Sequence, residues 1–380
     1  MNFEIPTVAL QRCDRFVART MNWLYDHLCC VINYRPVVLC DALQNRDEFP
    51  GLQAWSRQAE RLTRRVWRRI AGARIFPSDQ FRLRQLAPRV LHSHFGYVAV
   101  EDFALQQMLG VPWFVGFYGA DVYASGRQPE WRERYARLFE KATKVLALGP
   151  TMKQQLEQLG CPPRKLMLHP LGVDVQQLPS AVRVLRPGEP LQVLFAGTLR
   201  EKKGIRYLLE AAVLLKRSRT PFVLNIVGDV MGKPGDSETK AAFFAQVSRL
   251  NLGDVVIYQP FLPFDQLVAL ALRSHVFAAP SITAADGDAE GTPFVLQQMM
   301  ATGMPAVATI HSDIPYLFGA HQHLLVPERD ASAIADRLKR YVDCPDSLAT
   351  DGVALREQIC HSFDVRKCAA RLSALYDEVQ

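Results

Sequence analysis

Short apolar runs alternate along the chain with longer segments whose apolar residues recur every three or four positions, the pattern of strands followed by helices. Strands are expected at residues 4–11, at Arg35–Cys40 (RPVVLC), at Arg89–Gly96 (RVLHSHFG), at Val111–Phe117 and in KVLALG from Lys144. Helices are expected at Ala18–Asn33, Trp131–Ala142 and from Pro150, where Thr151 is the candidate cap. A second series follows: a strand at 191–196, a helix from near Lys203-Gly204, a strand at 222–229 and a helix at Asp236–Leu250. VVIYQPFLPFDQLVALALRS then supplies another strand and helix. A strand from His275 to Pro280, a short helix and a strand from Pro305 to Thr309 complete the series, and Asp364–Val379 is helical. The alternation of strand and helix from 191 to 343 predicts a parallel sheet joined by right-handed crossovers.

Between the two series Pro179, Pro187, Gly188 and Pro190 cluster, so a linker is expected at Val175–Pro190 and domains at 1–175 and 176–350. A chain of 380 residues with 49% hydrophobic and 22% charged residues has material for two cores. No apolar run reaches the roughly 18 residues of a membrane-spanning helix. The start, MNFEIPTVALQRCDRF, lacks the basic-then-apolar layout of a signal peptide, so the expected location is the cytoplasm. The 8 Cys are scattered without CxxC or Cys/His ligand spacing, which reads as reduced thiols and no metal site.

The formal charge of +7 is concentrated in one place: Arg57, Arg61, Arg64, Arg65, Arg68, Arg69, Arg74, Arg82, Arg84 and Arg89 face only Glu60 and Asp79. Several of these Arg recur at helical spacing with Trp55, Leu62, Val66, Trp67 and Ile70 interleaved. That is a basic amphipathic helix, suited to an anionic membrane surface, with a merely solvated face as the plain alternative. No nucleic-acid motif accompanies the charge, so nucleic acid is not an expected partner.

Chemistry concentrates at Phe277–Thr309, FAAPSITAADGDAEGTPFVLQQMMATGMPAVAT. A loop and helix start after a parallel strand present free N–H groups and a positive dipole end, suited to phosphate. Gly291 permits close backbone approach, Pro293 suits a first helical turn, and Glu290 offers a carboxylate to sugar hydroxyls. The stretch resembles the C-terminal signature of the retaining family 4 glycosyltransferases, which have the GT-B fold: two Rossmann-like doubly wound parallel-sheet domains facing a cleft. Glu290 holds the position of the first signature Glu, and Gly303, Pro305 and Val307 match. Gln298 stands where a second, ribose-binding Glu is expected; it still hydrogen-bonds, without charge assistance.

The resemblance extends to other strand ends. HSHFG is similar to a segment of the exopolysaccharide-assembling subgroup, of the colanic-acid type, and places His92 and His94 at the cleft rim on the acceptor side. In FYGAD, Tyr118, Gly119 and Asp121 match the same subgroup; a tyrosine capping the core is the alternative for Tyr118. Two His on one side of a strand invite a metal pair, but no third ligand is evident. In the turn after 191–196 the family has Gly-Arg-x-x-x-x-Lys-Gly. Gly197 and Lys203 match, Thr198 replaces the Arg, and Arg200 is a candidate substitute for the missing charge. Gly228-Asp229 matches a further strand end, and Asp313 and Tyr316 depart from a Gly-Ile-Pro-Glu turn.

The resemblance implies transfer of a sugar from a nucleotide-diphosphate sugar, with retained configuration, to a glycan or lipid-linked acceptor in cell-surface polysaccharide assembly. It implies His94, Tyr118 and Glu290 as catalytic. Donor contacts are implied for Gly197, Thr198, Arg200, Lys203, Gly228, Asp229, Glu290, Gly291, Thr292, Pro293, Phe294 and Gln298, and acceptor contacts for His92, His94 and Asp121. No cofactor or metal is implied, because basic groups and a helix dipole carry the diphosphate's charge. Segment 351–380 is implied to return to the first domain, and the basic helix suits attachment to the inner face of the cytoplasmic membrane. The departures at Thr198, Gln298, Asp313 and Tyr316 keep open a non-catalytic GT-B scaffold. An epimerase of related fold is a further rival.

Overall fold

The apolar runs become parallel strands buried on both faces: in Val90–His94 and Val276–Ala279 every residue is buried. The computed structural model of the chain describes residues 7–18, 21–58, 61–71, 75–232 and 235–379. It divides into two compact units, Met1–Gly172 with Val365–Gln380, and Val173–Asp364.

The first unit contains β1 (Thr7–Phe16), α1 (Asn22–Cys29), β2 (Tyr34–Leu43), β3 (Gln53–Ser56), α2 (Arg61–Ala71) and α3 (Pro77–Leu86). It continues with β4 (Val90–His94), α4 (Gly96–Ala99), α5 (Phe103–Leu109), β5 (Trp113–Gly116), α6 (Ala120–Tyr123), α7 (Pro129–Lys141), β6 (Lys144–Ala147), α8 (Pro150–Gln158) and β7 (Leu166–Leu168). The sheet runs β3-β2-β1-β4-β5-β6-β7, every pair parallel. Its order reverses between β1 and β4, the switch point at which such sheets open a crevice beyond the strands' carboxyl ends.

Several expectations shift here. The first strand runs on to Phe16, and residues 4–6 lie outside the described residues. The first helix is shorter than Ala18–Asn33, starting at Asn22 and ending at Cys29. Helix α8 is capped at Gly149 with Pro150 in its first turn, so Thr151 is already inside it. Trp55 and Arg57 are not on the basic helix: Trp55 is in β3, and the Arg57 guanidinium lies 3.2 Å from the buried Asp79 carboxylate. The side chains of Arg61, Leu62, Arg64 and Arg68, and all of Glu60 and Arg74, lie outside the described residues.

The second unit contains β8 (Leu191–Ala196), α9 (Ile205–Arg217), β9 (Phe222–Val227), α10 (Asp236–Arg249), β10 (Val256–Gln259), α11 (Phe264–Arg273) and β11 (Val276–Ala279). It closes with α12 (Phe294–Ala301), β12 (Ala306–Ala308), α13 (Ile314–Phe318), α14 (Ala331–Asp343) and α15 (Asp346–Ser362). The parallel sheet runs β10-β9-β8-β11-β12, so its switch point lies between β8 and β11. One face packs Leu296, Met299 and Met300 of α12 with Leu355 and Ile359 of α15; the other packs Leu208 and Leu209 of α9 with Ile334 and Leu338 of α14.

Residues 175–190 are not a free linker. Leu178 and Leu185 are buried, and Arg183 donates to Ser274 O at 2.9 Å and to Thr302 Oγ1 at 3.0 Å. The C-terminal helical segment is broken at Phe363-Asp364. Helix α15 stays with the second unit, and α16 (Val365–Asp377) covers the first unit's sheet through Leu372, Leu375 and Tyr376.

Candidate functional site

In the second unit, the turn after β8 and the loop after β11 meet at the switch point. Their contact requires glycine: Gly204 has φ +64°, and a Cβ there would lie 1.7 Å from Pro280 O. Gly228 is equally confined, since its Cβ would lie 1.8 Å from Gly197 O. Ile282 N donates to Lys202 O at 2.9 Å, and Ala285 N to Glu201 Oε2 at 3.1 Å, so the two loops are stitched together.

That stitching assembles a dense charge cluster. Lys203 Nζ lies 3.1 Å from Glu290 Oε1 and Lys202 Nζ 3.6 Å from the same atom. Lys202 Nζ also lies 3.3 Å from Asp288 Oδ1, and the Arg200 guanidinium 2.7 Å from Asp288 Oδ2. Burial alone would raise the Glu290 carboxyl; Lys203 and Lys202 overcome it and pull it down to about 2. Three cations therefore surround two carboxylates at the mouth of a parallel sheet, an arrangement that can take a further anion. Thr292 Oγ1 and both ends of the buried Gln297 amide have no hydrogen-bond partner among the described residues, so polar groups in the loop and the helix after Glu290 are left for a ligand or water.

Other expected donor residues lie around this cluster. Thr198 follows Gly197 in the turn, and the one-turn segment Glu201–Lys203 precedes α9, so Lys203 sits just before the helix rather than in it. Helix α12 begins at Phe294 with Pro293 as its N-cap residue, and Gln298 is buried within it. Asp229 is engaged by Lys240 Nζ at 2.7 Å, which holds its carboxyl below the usual range. Sequence reasoning missed Lys202 and Asp288, although both adjoin matched positions. It also missed the bonded pair His311–Glu328, whose Nδ1···Oε1 distance is 2.6 Å.

In the first unit the carboxyl end of β4 carries the other cluster. His92 and His94 stack with ring centroids 4.2 Å apart, on one face of the strand. Both are buried rather than at a rim. His94 Nε2 donates to Gln11 Oε1 at 3.0 Å, which leaves Nδ1 to accept the Tyr118 hydroxyl at 2.6 Å. Tyr118 is further held by the Trp23 and Phe95 rings, each 4.7 Å away centroid to centroid. Phe95 has φ +75°, a strained conformation for a side chain of that size at the strand's end. His92 Nδ1 shares a 2.7 Å hydrogen bond with Tyr376 Oη of α16.

Asp121 does not point outward to an acceptor. Its buried carboxylate accepts the N–H groups of Gly96, Tyr118 and Gly119 at 3.0, 3.0 and 2.9 Å, tying the ends of β4 and β5 together and positioning Tyr118. His27 and His169 complete the cluster, with rings 5.0 Å apart. Burial, then neighbouring charge, lowers His27 to about 4 and His94 to about 3. Among the described residues no group of His, Cys, Asp and Glu has the geometry to hold a metal ion, and no helix is long and apolar enough to cross a membrane.

The family model of the glycosyl transferases group 1 matches residues 180–353, and that of glycosyltransferase family 4 matches residues 33–177. The chain is 31% identical over 290 residues to WcaL of Escherichia coli (strain K12), named as a colanic acid biosynthesis glycosyltransferase; the match covers 75% of this chain and 70% of WcaL. It is 32% identical over 250 residues to the amylovoran biosynthesis glycosyltransferase AmsK of Erwinia amylovora, covering 65% of this chain and 60% of AmsK. Among solved structures, sucrose-phosphate synthase from Thermosynechococcus elongatus superposes with a TM-score of 0.75 at 16% identity, covering 98% of each chain. HepE of Anabaena, in complex with UDP and glucose, gives 0.75 at 15% identity over 98% of this chain and 100% of HepE.

Proposed function

The chain belongs to the family 4 glycosyltransferases, with the GT-B fold, and we propose that it transfers a sugar from a nucleotide-diphosphate donor, with retained configuration, to a glycan or lipid-linked acceptor. The observation that carries this reading is the cluster of Arg200, Lys202 and Lys203 around Asp288 and Glu290 at the second unit's switch point. A diphosphate leaving group accumulates negative charge as its bond to the sugar breaks, and preorganised cations stabilise that charge without reorganisation. In this reading the lysines and Arg200 carry the leaving charge in place of a metal ion. Glu290, held ionised, accepts from the sugar's hydroxyls; the backbone of Gly291–Phe294 and the Thr292 hydroxyl line the sugar, and Gln298 meets the ribose.

On the acceptor side we assign Tyr118, with His94 behind it. Their hydrogen bond commits the tyrosine proton to His94, so the phenolic oxygen meets the acceptor with its lone pairs. No protein nucleophile is assigned; the reading is a same-face displacement. The relatives' names support exopolysaccharide assembly as the setting, and the basic α2 supports work at the inner face of the cytoplasmic membrane.

The test is thermal stabilisation by a panel of UDP-, GDP-, ADP- and TDP-sugars, repeated with Glu290→Ala and Lys203→Ala. A donor at about 100 times its dissociation constant adds roughly 2.7 kcal/mol. A shift with one donor, lost in both variants, supports the reading. Absence of any shift favours the non-catalytic scaffold, to which Thr198, Gln298, Asp313 and Tyr316 would then point. The anomeric configuration of the product, read by NMR, tests retention.

A further inference from the structure

Glu290 is held by more than its lysines. Its backbone N–H donates to His311 Nε2 at 3.1 Å, and His311, just beyond β12, is buried. A backbone N–H only donates, so Nε2 must present its lone pair and the ring proton must sit on Nδ1. There it meets Glu328 Oε1 at 2.6 Å. The other oxygen of the same carboxylate accepts Thr283 N at 3.1 Å and the Arg329 guanidinium at 3.1 Å, and Arg329 also bonds Thr283 O. One carboxylate thus fastens the 283–290 loop at both ends: directly at Thr283, and through one imidazole at Glu290.

We propose that His311 is a positioning residue that fixes Glu290 for the donor sugar only while its ring is neutral, which makes donor turnover sensitive to acid through this one side chain. The inference rests on the donor-site reading above. A second proton on Nε2 would confront the Glu290 N–H with another donor. The hydrogen bond would be lost, and the loop end carrying Glu290 would no longer be held in register for the sugar, although the Lys203–Glu290 ion pair remains. The charged groups facing the ring are Glu328, with Arg329 behind it, and the Glu290 carboxylate, with Lys202 and Lys203 behind it.

The experiment compares the pH dependence of donor turnover in the full chain with that of His311→Gln, His311→Leu and Glu328→Gln. Glutamine carries one acceptor and one donor and does not titrate, so His311→Gln should retain near-neutral turnover within a few-fold and lose the wild-type acid limb. His311→Leu removes the acceptor; a displacement of about 1 Å at a reacting centre costs on the order of 10²-fold in kcat. Glu328→Gln should shift the acid limb, because the partner of Nδ1 is no longer ionised. A readout independent of turnover is the long-range 1H–15N spectrum of histidine-labelled protein without donor. The His311 resonance, assigned by its disappearance in His311→Gln, should show the Nδ1–H tautomer. An Nε2–H tautomer, or an acid limb unchanged in His311→Gln, overturns the proposal. A wild-type chain that shows the Nδ1–H tautomer but neither binds nor turns over any donor overturns the donor-site reading instead.

Discussion

The Arg200 guanidinium lies 2.7 Å from the Asp288 carboxylate, and this pair joins the turn after β8 to the loop after β11. Arg200 is partly exposed while Asp288 is 2% exposed, so the buried partner fixes where the exposed one points. Asp288→Asn releases Arg200 and weakens the hold on Lys202. Donor affinity is expected to fall about tenfold, or about 1.4 kcal/mol. Arg200→Lys should not restore it fully, since a point charge does not reproduce the planar fork. Calorimetric titration with the stabilising donor measures both; unchanged affinity in Asp288→Asn removes the pair from the site.

Glu290 gives the second unit an acid sensitivity of definite sign. Its folded carboxyl sits at about 2 against an ordinary 4.5, so the native state binds fewer protons than the unfolded one between those values. The stabilisation is fully present above the unfolded value and is lost as pH falls from there toward about 2. Its size is on the order of 3 kcal/mol. Glu290→Gln should flatten the acid limb of the second unit's unfolding curve, and Lys203→Met should move that limb to higher pH. Identical acid limbs in all three chains would contradict the pairing.

How far these features could be read from the sequence depended on distance along the chain. Lys203 and Glu290 are marked by glycine and proline neighbours that their turns require, so local pattern was enough to find them. Asp121 stood in a matched motif, yet the motif could not reveal that its carboxylate turns inward onto three N–H groups. Arg57 had helical spacing but lies beyond β3, where the buried Asp79 attracts it more strongly than helix periodicity extends. Tyr376 meets His92 across 284 residues, and Glu328 meets Thr283 across 45; nothing local in either residue announces its partner.

The buried histidines of the first unit should make it fail in mild acid. His27 has its folded value lowered to about 4, chiefly by burial and then by Arg371. The unfolded state therefore takes up a proton that the native state refuses as pH drops through 6.5, and stability falls until about 4 is reached. His27 alone accounts for on the order of 3 kcal/mol, and His94, lowered to about 3, acts in the same direction. Near-ultraviolet circular dichroism, dominated in this unit by Trp23, Trp113 and the packed tyrosines, follows the loss. His27→Phe should shift the acid midpoint downward; an unchanged midpoint would assign the sensitivity elsewhere.

The proposed work at a membrane surface makes α2 the element to test. Arg65 and Arg69 are exposed one turn apart, and beside them Val66 and Ile70 are 55% and 78% exposed. On α3, Phe81 is exposed next to Arg82 and Arg84. Among the described residues between 61 and 89 the one acidic residue, Asp79, is buried against Trp55 and Arg57. Each arginine near an anionic surface contributes about 1 kcal/mol, screened within a Debye length, and the apolar side chains add burial that salt does not screen. The chain should therefore cosediment with vesicles containing phosphatidylglycerol and not with purely zwitterionic ones, and binding should weaken as salt rises. Arg65→Glu with Arg69→Glu should abolish binding, whereas Ile70→Ser should weaken it and leave its salt dependence in place. Equal binding to both vesicle types, or none at low salt, would leave α2 as an ordinary solvated face.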